Sequence, residues 1–287
     1  MSVLRITKDS KVLIVGLGLM GGSYAKALTK RGYRVTAISD NAESINYGLE
    51  HGMICDGYDH VEESVVRAAD IVVFALYPEV FLDWISKYRD LLNSDALVTD
   101  ISGVKQCVVY KAQEIIGKRA HFVSSHPMAG RERSGVEHSD DSVFAGANYI
   151  VVPTAENTPD EIEACKMLGA ELGFGRISEL SAEEHDGMIA FLSQLTHCIA
   201  VSLMTCTDNE HLVNYTGDSF RDLTRIAKIN DVMWSGLFNL NKDSLVKYMD
   251  LFAREFEQMR NMVASGDIEG MREKMRLSTK RRALFDK

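Results

Sequence analysis

Proline, cysteine and positive charge are all scarce in this sequence. Only 4 of its 287 residues are Pro, while 46% are hydrophobic and 25% are charged. This composition is typical of a globular protein and excludes collagen-like, low-complexity and disordered chains. Lys and Arg number 32 against 41 Asp and Glu, so the net charge is −9 at pH 7. Such a protein has no general attraction for nucleic acid, and an anionic ligand would need a local basic pocket.

The five cysteines form no recognisable site. Their number is odd and no pair has the Cys-x-x-Cys spacing, so we expect reduced thiols in a cytoplasmic protein, without disulfides and without a metal. The polar N-terminus does not have the pattern of a signal peptide. Residues 187–207 lack charge and are long enough to cross a membrane, but they contain Gln194 and several hydroxyl groups. We therefore expect a buried helix and no membrane partner.

Up to about residue 180, short apolar runs alternate with helical patterns. The predicted strands span 12–16, 34–40, 71–76, 96–101, 122–125, 149–152 and 175–180. Strands that alternate with helices predict an α/β fold, a doubly wound parallel sheet with helices on both faces. Capping boxes at Thr158–Glu161 and Ser181–Glu184 mark the starts of two helices.

Beyond residue 180 the pattern is helical only. The predicted helices span 182–208, 219–230, 242–264 and 267–284. We therefore expect two domains, an α/β domain of residues 1–180 and an all-helical domain of residues 181–287. Long apolar helices in a domain of this size need a partner surface, so we expect a homodimer formed through the helical domain.

A glycine-rich turn follows the first predicted strand. Residues 16–21, Gly-Leu-Gly-Leu-Met-Gly, match G-x-G-x-x-G between a strand and a helix, which is the pattern of a dinucleotide-binding (Rossmann-type) domain. Gly16 permits the tight turn, Gly18 lets a pyrophosphate approach the backbone, and Gly21 lets the helix pack closely. With Leu19 and Met20, which open the helix N-terminus, these glycines are the predicted phosphate-binding residues.

Asp40 lies 19 residues after Gly21, at the end of the second predicted strand. A carboxylate at this place accepts hydrogen bonds from both ribose hydroxyls and repels a 2′-phosphate, which favours NAD over NADP. The alternative is a simple glycine turn in which Asp40 caps the next helix.

Polar residues near two further elements are candidates for chemistry. His126 follows a predicted buried strand, where a near-neutral imidazole suits general base work on an alcohol that loses hydride; the alternative is a loop histidine bonded to backbone. Ser193 and His197 share a helix face and line either a polar pocket or the core. Arg221 and Arg225 are also four residues apart: one clamps a carboxylate, or both lie on a solvated face near an acid such as Asp222.

With these motifs in this order, the sequence resembles the prephenate/arogenate dehydrogenase family of tyrosine biosynthesis over nearly its whole length. The most specific matches are Ser-His-Pro-Met-Ala-Gly at 125–130 and Phe-Arg-Asp-Leu-Thr-Arg-Ile-Ala at 220–227. The resemblance implies an NAD-dependent oxidative decarboxylation of prephenate to 4-hydroxyphenylpyruvate. It further implies that His126 hydrogen-bonds the C4 hydroxyl, that Ser193 and His197 line the substrate pocket, and that Arg225 binds a substrate carboxylate.

The sequence departs from the family pattern at two places. Gly103 stands where family members often carry Ser, and we name the preceding Ser102 as the catalytic serine in its place. Asp218 stands where the family often has Gly; it either meets the ammonium of arogenate or, the interpretation we favour, helps to cap a helix as Asp218 or Ser219. Arg131 either reaches the pocket or pairs with a neighbouring acid or solvent.

Three other functions stay open at this point. An arogenate dehydrogenase is the first alternative to a prephenate dehydrogenase. A 3-hydroxyacid-type dehydrogenase is more distant, because such enzymes usually depend on a catalytic lysine, and neither Lys228 nor Lys242 stands in a recognised motif. A non-catalytic NAD-binding module would be expected to lack His126 or Arg225, and both are present.

Overall fold

The computed structural model describes Leu4, residues 6–130 and residues 133–286. Arg131, one of the residues discussed above, lies outside these ranges. Within them the strands are β1 (Lys11–Val15), β2 (Arg34–Ile38), β3 (Asp56–Tyr58), β4 (Ile71–Phe74), β5 (Leu97–Asp100), β6 (His121–Phe122), β7 (Ser124–Pro127), β8 (Asn148–Val152) and β9 (Arg176–Glu179).

Helices form the main connections between these strands and most of the described chain after β9. They are α1 (Leu19–Lys30), α2 (Ala42–Glu50), α3 (Glu63–Ala68), α4 (Pro78–Tyr88), α5 (Val109–Ile116), α6 (Pro159–Leu172), α7 (Ala182–Ile189), α8 (Leu195–Thr205), α9 (Asp218–Thr224), α10 (Asp231–Leu240), α11 (Lys242–Ser265) and α12 (Ile268–Arg282). Between α7 and α8 the residues Ala190–Gln194 form a wider π-helical turn.

The predicted doubly wound parallel sheet is present. In the described residues six strands pair in the order β3-β2-β1-β4-β5-β6, all parallel. Side chains of β1 alternate between two cores: Val12 and Ile14 pack into the one beneath α1 and α6, and Leu13 and Val15 into the one beneath α4 and α5. Both faces are therefore covered, as parallel strands require.

The later strands form a second sheet instead of extending the first. β7 pairs with β8 in antiparallel register, with His126 opposite Ile150, and β8 pairs with β9 in parallel. The single parallel sheet predicted for strands 122–125 and 149–152 is therefore wrong. The predicted strand 122–125 is divided, since β6 ends at Phe122 in the large sheet and β7 begins at Ser124 in the small one.

The apolar helix predicted at 182–208 is present as α7, the π-helical turn and α8, but it is not buried. Among the described residues, this is one helix whose length and apolar composition would be sufficient to cross a membrane. Of its tested 18-residue apolar stretch, 28% is buried. A single helix of this kind is weak evidence for a membrane span, because core helices share its length and composition. The expectation of a buried helix is wrong for the single chain, where Phe191, Leu192 and Met204 are exposed.

Helix 219–230 was predicted too long. α9 ends at Thr224, a 3-10 turn covers Arg225–Ala227, and α10 begins at Asp231 after the N-cap residue Asn230. The predicted single helix is therefore two helices, separated by the 3-10 turn and a short connection.

Candidate active site

The glycine-rich turn between β1 and α1 has the shape that a dinucleotide requires. Gly16 has a φ of +96°, and a Cβ at this position would lie 2.5 Å from the Ala75 carbonyl oxygen. A Cβ on Gly21 would lie 2.0 Å from the Gly16 carbonyl oxygen, whereas one on Gly18 would meet no described atom within 4 Å. Gly16 and Gly21 are thus enclosed by the turn, and the backbone at Gly18 is open to a ligand.

Helix α1 presents its N-terminus to the same open space. It begins at Leu19 and Met20, and its N-cap is Gly18, which has no side chain to bond the first N–H groups. Its first turn contains no acidic residue, so the positive end of the helix dipole is not neutralised there. The backbone therefore fits the pyrophosphate of a dinucleotide.

Asp40 is exposed two residues beyond the carboxyl end of β2. The cap of the following helix is Asn41, whose side chain accepts a hydrogen bond from the Ser44 backbone N–H at 3.1 Å. Asp40 is therefore not the helix cap, and its carboxylate stands at the edge where parallel strands of this fold bind a nucleotide ribose.

A contact between two histidines joins the α/β part of the chain to its helical part. Nδ1 of His126, on β7, lies 2.8 Å from Nε2 of His185, on α7, with ring centroids 5.0 Å apart and planes at 65°. Nδ1 of His185 in turn lies 2.8 Å from Oδ1 of Asp186. His185 and Asp186 are buried, while His126 is half-buried. The three side chains form a row that ends at Nε2 of His126.

Backbone groups after β5 hold Asp186 in place. Its Oδ1 accepts from the Lys105 N–H at 2.8 Å, and its Oδ2 from the Gln106 N–H at 2.9 Å. The Lys105 ammonium donates to Asp100 Oδ2 at 2.9 Å and to the Ser125 carbonyl oxygen at 2.6 Å, so a fully buried ion pair lies under the row. Removing either side chain would leave a buried charge unpaired and would therefore be strongly destabilising.

Burial sets the protonation of the imidazoles. It lowers the pKa of His126 well below the usual 6.5, with help from the neighbouring His185 ring and the Lys105 charge. It also lowers the pKa of His185, against the opposing effect of the Asp186 carboxylate. Both rings are therefore neutral at pH 7, and His126 is able to accept a proton.

Gly103 leaves space for one more side-chain atom beside His126. A Cβ at Gly103 would lie 3.8 Å from His126 Nε2 and 3.9 Å from Cδ2 of Leu237, on α10. The neighbouring Ser102 has a buried hydroxyl that makes no hydrogen bond to the described residues, while its N–H donates to Asp100 Oδ2 at 2.9 Å. The predicted catalytic serine thus lies in the loop next to this space.

Ser193 and His197 lie in and just after the π-helical turn. Nδ1 of His197 donates to the Ser193 carbonyl oxygen at 2.8 Å, and its ring stacks on Trp234, on α10, with centroids 3.7 Å apart. Trp234 precedes Leu237 by one helical turn. Helix α10 therefore connects the pocket predicted around Ser193 and His197 to the space beside Gly103.

Arg225 begins the 3-10 turn after α9, and this turn packs against α8, the helix that carries His197. Its side chain is exposed. The fold thus brings Arg225 to the helix that bears His197 and that directly follows the turn containing Ser193.

Asp218 and Arg221 pair with each other. Their side chains meet at 2.8 Å, so Asp218 is an acid that pairs with Arg221. The N-cap of α9 is Gly217, so the favoured interpretation of Asp218 or Ser219 as the cap is wrong; Asp218 is the first helical residue instead.

His185 and Asp186 were not identified from the sequence. His185 is 59 residues from His126, and neither periodicity nor spacing reveals a contact of that range. The available signal was weak, because these two polar residues directly follow Glu183 and Glu184 in the polar first part of α7.

Gln194 and Asn241 were also missed. The Asn241 amide donates to Gln194 Oε1 at 2.8 Å and to the Asp186 carbonyl oxygen at 3.0 Å, and the Gln194 amide donates to the Leu237 carbonyl oxygen at 3.1 Å. These buried bonds tie the π-helical turn to α10 and α11.

Two family models match the chain in sequence order. Residues 24–177 match the prephenate dehydrogenase nucleotide-binding domain, and residues 181–277 match the prephenate dehydrogenase dimerization domain. The chain belongs to the prephenate dehydrogenase family. As a member of this family it is an NAD-dependent oxidoreductase. This result argues against the two alternative functions, a 3-hydroxyacid-type dehydrogenase and a non-catalytic NAD-binding module.

Individual prephenate dehydrogenases and related enzymes agree with this assignment. The prephenate dehydrogenase of Bacillus subtilis (strain 168) is 32% identical over 273 residues, 92% of this chain and 72% of that protein. The cyclohexadienyl dehydrogenase of Zymomonas mobilis is 28% identical, over 96% of both chains. The crystal structure of Aquifex aeolicus prephenate dehydrogenase with hydroxyphenyl propionate and NAD+ superposes with a TM-score of 0.88 at 31% identity, covering 98% of this chain and 100% of that one.

Proposed function

We propose that this chain oxidatively decarboxylates prephenate to 4-hydroxyphenylpyruvate in the biosynthesis of tyrosine. The observation that carries the proposal is a neutral, half-buried His126 whose Nε2 lies beside Gly103, within a chain of this family. A relative of 31% identity holds hydroxyphenyl propionate and NAD+ together. That ligand has the phenol ring and three-carbon acid of the product proposed here.

The chemistry divides between the cofactor and the side chains. Bound NAD+ accepts the hydride from ring C4. His126 hydrogen-bonds the C4 hydroxyl and takes its proton as the carbonyl forms; the bond from the ring to its carboxylate then breaks, CO2 leaves, and the proton returns to the aromatic oxygen. Aromatisation supplies the driving force, so the main task of the protein is to hold C4 against the nicotinamide.

Substrate binding is assigned to the residues around α8. Arg225 binds a carboxylate of the dianionic substrate, which supplies local positive charge in an acidic protein. Ser193 and His197 line the pocket, and the buried hydroxyl of Ser102 donates to the C4 oxygen in place of a serine at Gly103. Residues 16–21, from Gly16 through Gly18, Leu19 and Met20 to Gly21, would hold the phosphates of NAD, and Asp40 would hold its adenosine ribose.

The experiment that tests this function is a side-by-side measurement of NADH formation by the purified protein with prephenate and with arogenate. Turnover with prephenate is the expected result. Turnover with arogenate alone replaces the substrate and makes Asp218 a specificity residue, since its carboxylate would then attract the ammonium. Absence of turnover with either acid, and with NADP as well, contradicts the proposal.

We also propose a cytoplasmic homodimer with domains at residues 1–180 and 181–287. Support comes from the matched dimerization domain and from large exposed apolar side chains on the helical half. On α11 and α12 these include Phe256 (66% exposed), Val263 and Ile268. Burying such a surface against a second copy removes it from water.

Light scattering after size exclusion tests the dimer. Phe256→Glu is expected to shift the protein towards the monomer mass, because it places a charge in the apolar contact. Met167→Glu, which also replaces an exposed apolar side chain by an acid but on α6 of the α/β half, is the control and should leave the mass unchanged. A wild-type monomer would contradict the proposal.

A further inference from the structure

In the row from Asp186 through His185 to His126, the chemistry of the groups determines which atom donates and which accepts in each hydrogen bond. Asp186 Oδ1 and Oδ2 already receive the N–H groups of Lys105 and Gln106 at 2.8 and 2.9 Å. A carboxylate so placed only accepts, so Nδ1 of His185, at 2.8 Å, must be the protonated nitrogen of that ring.

The tautomer of His185 determines that of His126. A neutral imidazole carries one proton, so with Nδ1 of His185 protonated its Nε2 is an acceptor. Nδ1 of His126 lies 2.8 Å from that acceptor and must donate to it. The remaining nitrogen of His126, Nε2, then has a free lone pair, and this atom borders the space at Gly103.

We propose that His185, held by Asp186, is a positioning residue that fixes His126 as the Nδ1–H tautomer, so that Nε2 always faces the substrate hydroxyl as an acceptor. The inference rests on the proposed function, because it names the atom that receives the proton of the C4 hydroxyl. His185 does not touch the substrate in this scheme; it acts through His126. The same logic operates wherever an acid orients a catalytic imidazole.

The charges around the row agree with this arrangement. The groups that face His185 are the carboxylates of Asp186 and Asp100, the Lys105 ammonium and the His126 ring. Burial lowers the pKa of both imidazoles, so neither ring carries the second proton that would erase the direction of the row. Lys105 and Asp100 pair at 2.9 Å, and the Lys105 charge adds to the lowering of the pKa of both imidazoles.

Two substitutions at His185 distinguish the role of Nε2 as a hydrogen-bond acceptor from the other contacts of the ring. His185→Phe removes the acceptor, and His185→Gln keeps an amide oxygen near the place of Nε2. Both lose the bond to Asp186 and both change packing. The expected result is a fall in kcat of about 100-fold for His185→Phe, the size of a general base contribution, with KM within about 2-fold. His185→Gln is expected to keep kcat within about 10-fold of wild type.

Nitrogen-15 NMR of histidine-labelled protein reads the tautomer directly and without substrate. The His126 signals are assigned by their loss in His126→Asn. At pH 7 the wild-type protein is expected to show Nδ1 protonated and Nε2 unprotonated, and His185→Phe to shift His126 towards the Nε2–H form. This arm holds even if neither prephenate nor arogenate is turned over, so its outcome is independent of the proposed function.

Two results would overturn the inference. One is a wild-type His126 protonated at Nε2. The other is an equal loss of kcat in His185→Gln and His185→Phe, which would reduce His185 to a packing role. If His185→Phe does not fold, the wild-type spectrum decides alone.

Discussion

Trp234 lies against the imidazole of His197, with ring centroids 3.7 Å apart and planes 30° from parallel. This contact fixes the ring whose Nδ1 donates to the Ser193 carbonyl oxygen, so it sets the wall of the proposed substrate pocket. Losing such a stack removes about 0.5–1.5 kcal/mol beyond the buried area.

Trp234→Leu is therefore expected to raise KM for prephenate by about 2- to 10-fold, the factor that corresponds to that energy. Steady-state kinetics check it. Trp234→Phe, which retains an aromatic face, should stay close to wild type; an equal KM for Leu and Phe variants would show that the stack is irrelevant to binding.

His126→Asn is expected to lower kcat by about 100-fold or more, since general base terms have that size. The pH profile gives a second check. Because the pKa of His126 lies well below 6.5, the ring stays neutral at pH 7, and kcat/KM should fall only as the pH drops below 6.5. A fall centred at or above 6.5, or an acid limb that persists in His126→Asn, would assign the titration to another group.

Arg225→Gln is expected to raise KM by about 10- to 100-fold with a smaller change in kcat, because it removes a charge-assisted clamp worth about 1.5–3 kcal/mol. The matched control is Arg221→Gln, one turn earlier on the same segment and paired with Asp218 at 2.8 Å. That exposed pair should contribute little to KM. If Arg225→Gln lowers only kcat, Arg225 is not a ground-state binder.

Asp40→Ser is expected to lower the preference for NAD over NADP by about 10-fold, through lost ribose hydrogen bonds and relieved repulsion of a 2′-phosphate. The ratio of kcat/KM values for the two cofactors measures it. Asp95→Ser is the control, since Asp95 is exposed just before β5, at the opposite edge of the sheet. An unaltered ratio in Asp40→Ser would remove Asp40 from the ribose site.

Local sequence signals predicted the parts of the fold that depend on neighbours along the chain. The glycine turn at Gly16–Gly21 predicted the first strand–helix unit, and the capping boxes at Thr158 and Ser181 predicted the starts of α6 and α7, both of which are present. These features are encoded within a few residues, because a turn or a cap is satisfied by groups three or four positions away.

Features that depend on distant partners were not predicted. The antiparallel pairing of β7 with β8 depends on the path of the chain in the long connection between them. A short apolar run in the sequence does not indicate whether a strand pairs in parallel or antiparallel register. The contact between His126 and His185 arises only once β7 and α7 are brought together. The sequence therefore identified the histidine at the site and not the residues that orient it.

The π-helical turn Ala190–Gln194 determines the relative orientation of His185 and His197, which lie before and after it. His185 and His197 are twelve positions apart, and in an uninterrupted α-helix, at about 100° per residue, their directions would differ by about 120°. One wide turn absorbs about one residue, which reduces the difference to about 20°. The π-helical turn thus rotates α8 about the helix axis relative to α7, so that His197 lies on the same side of the helix as His185.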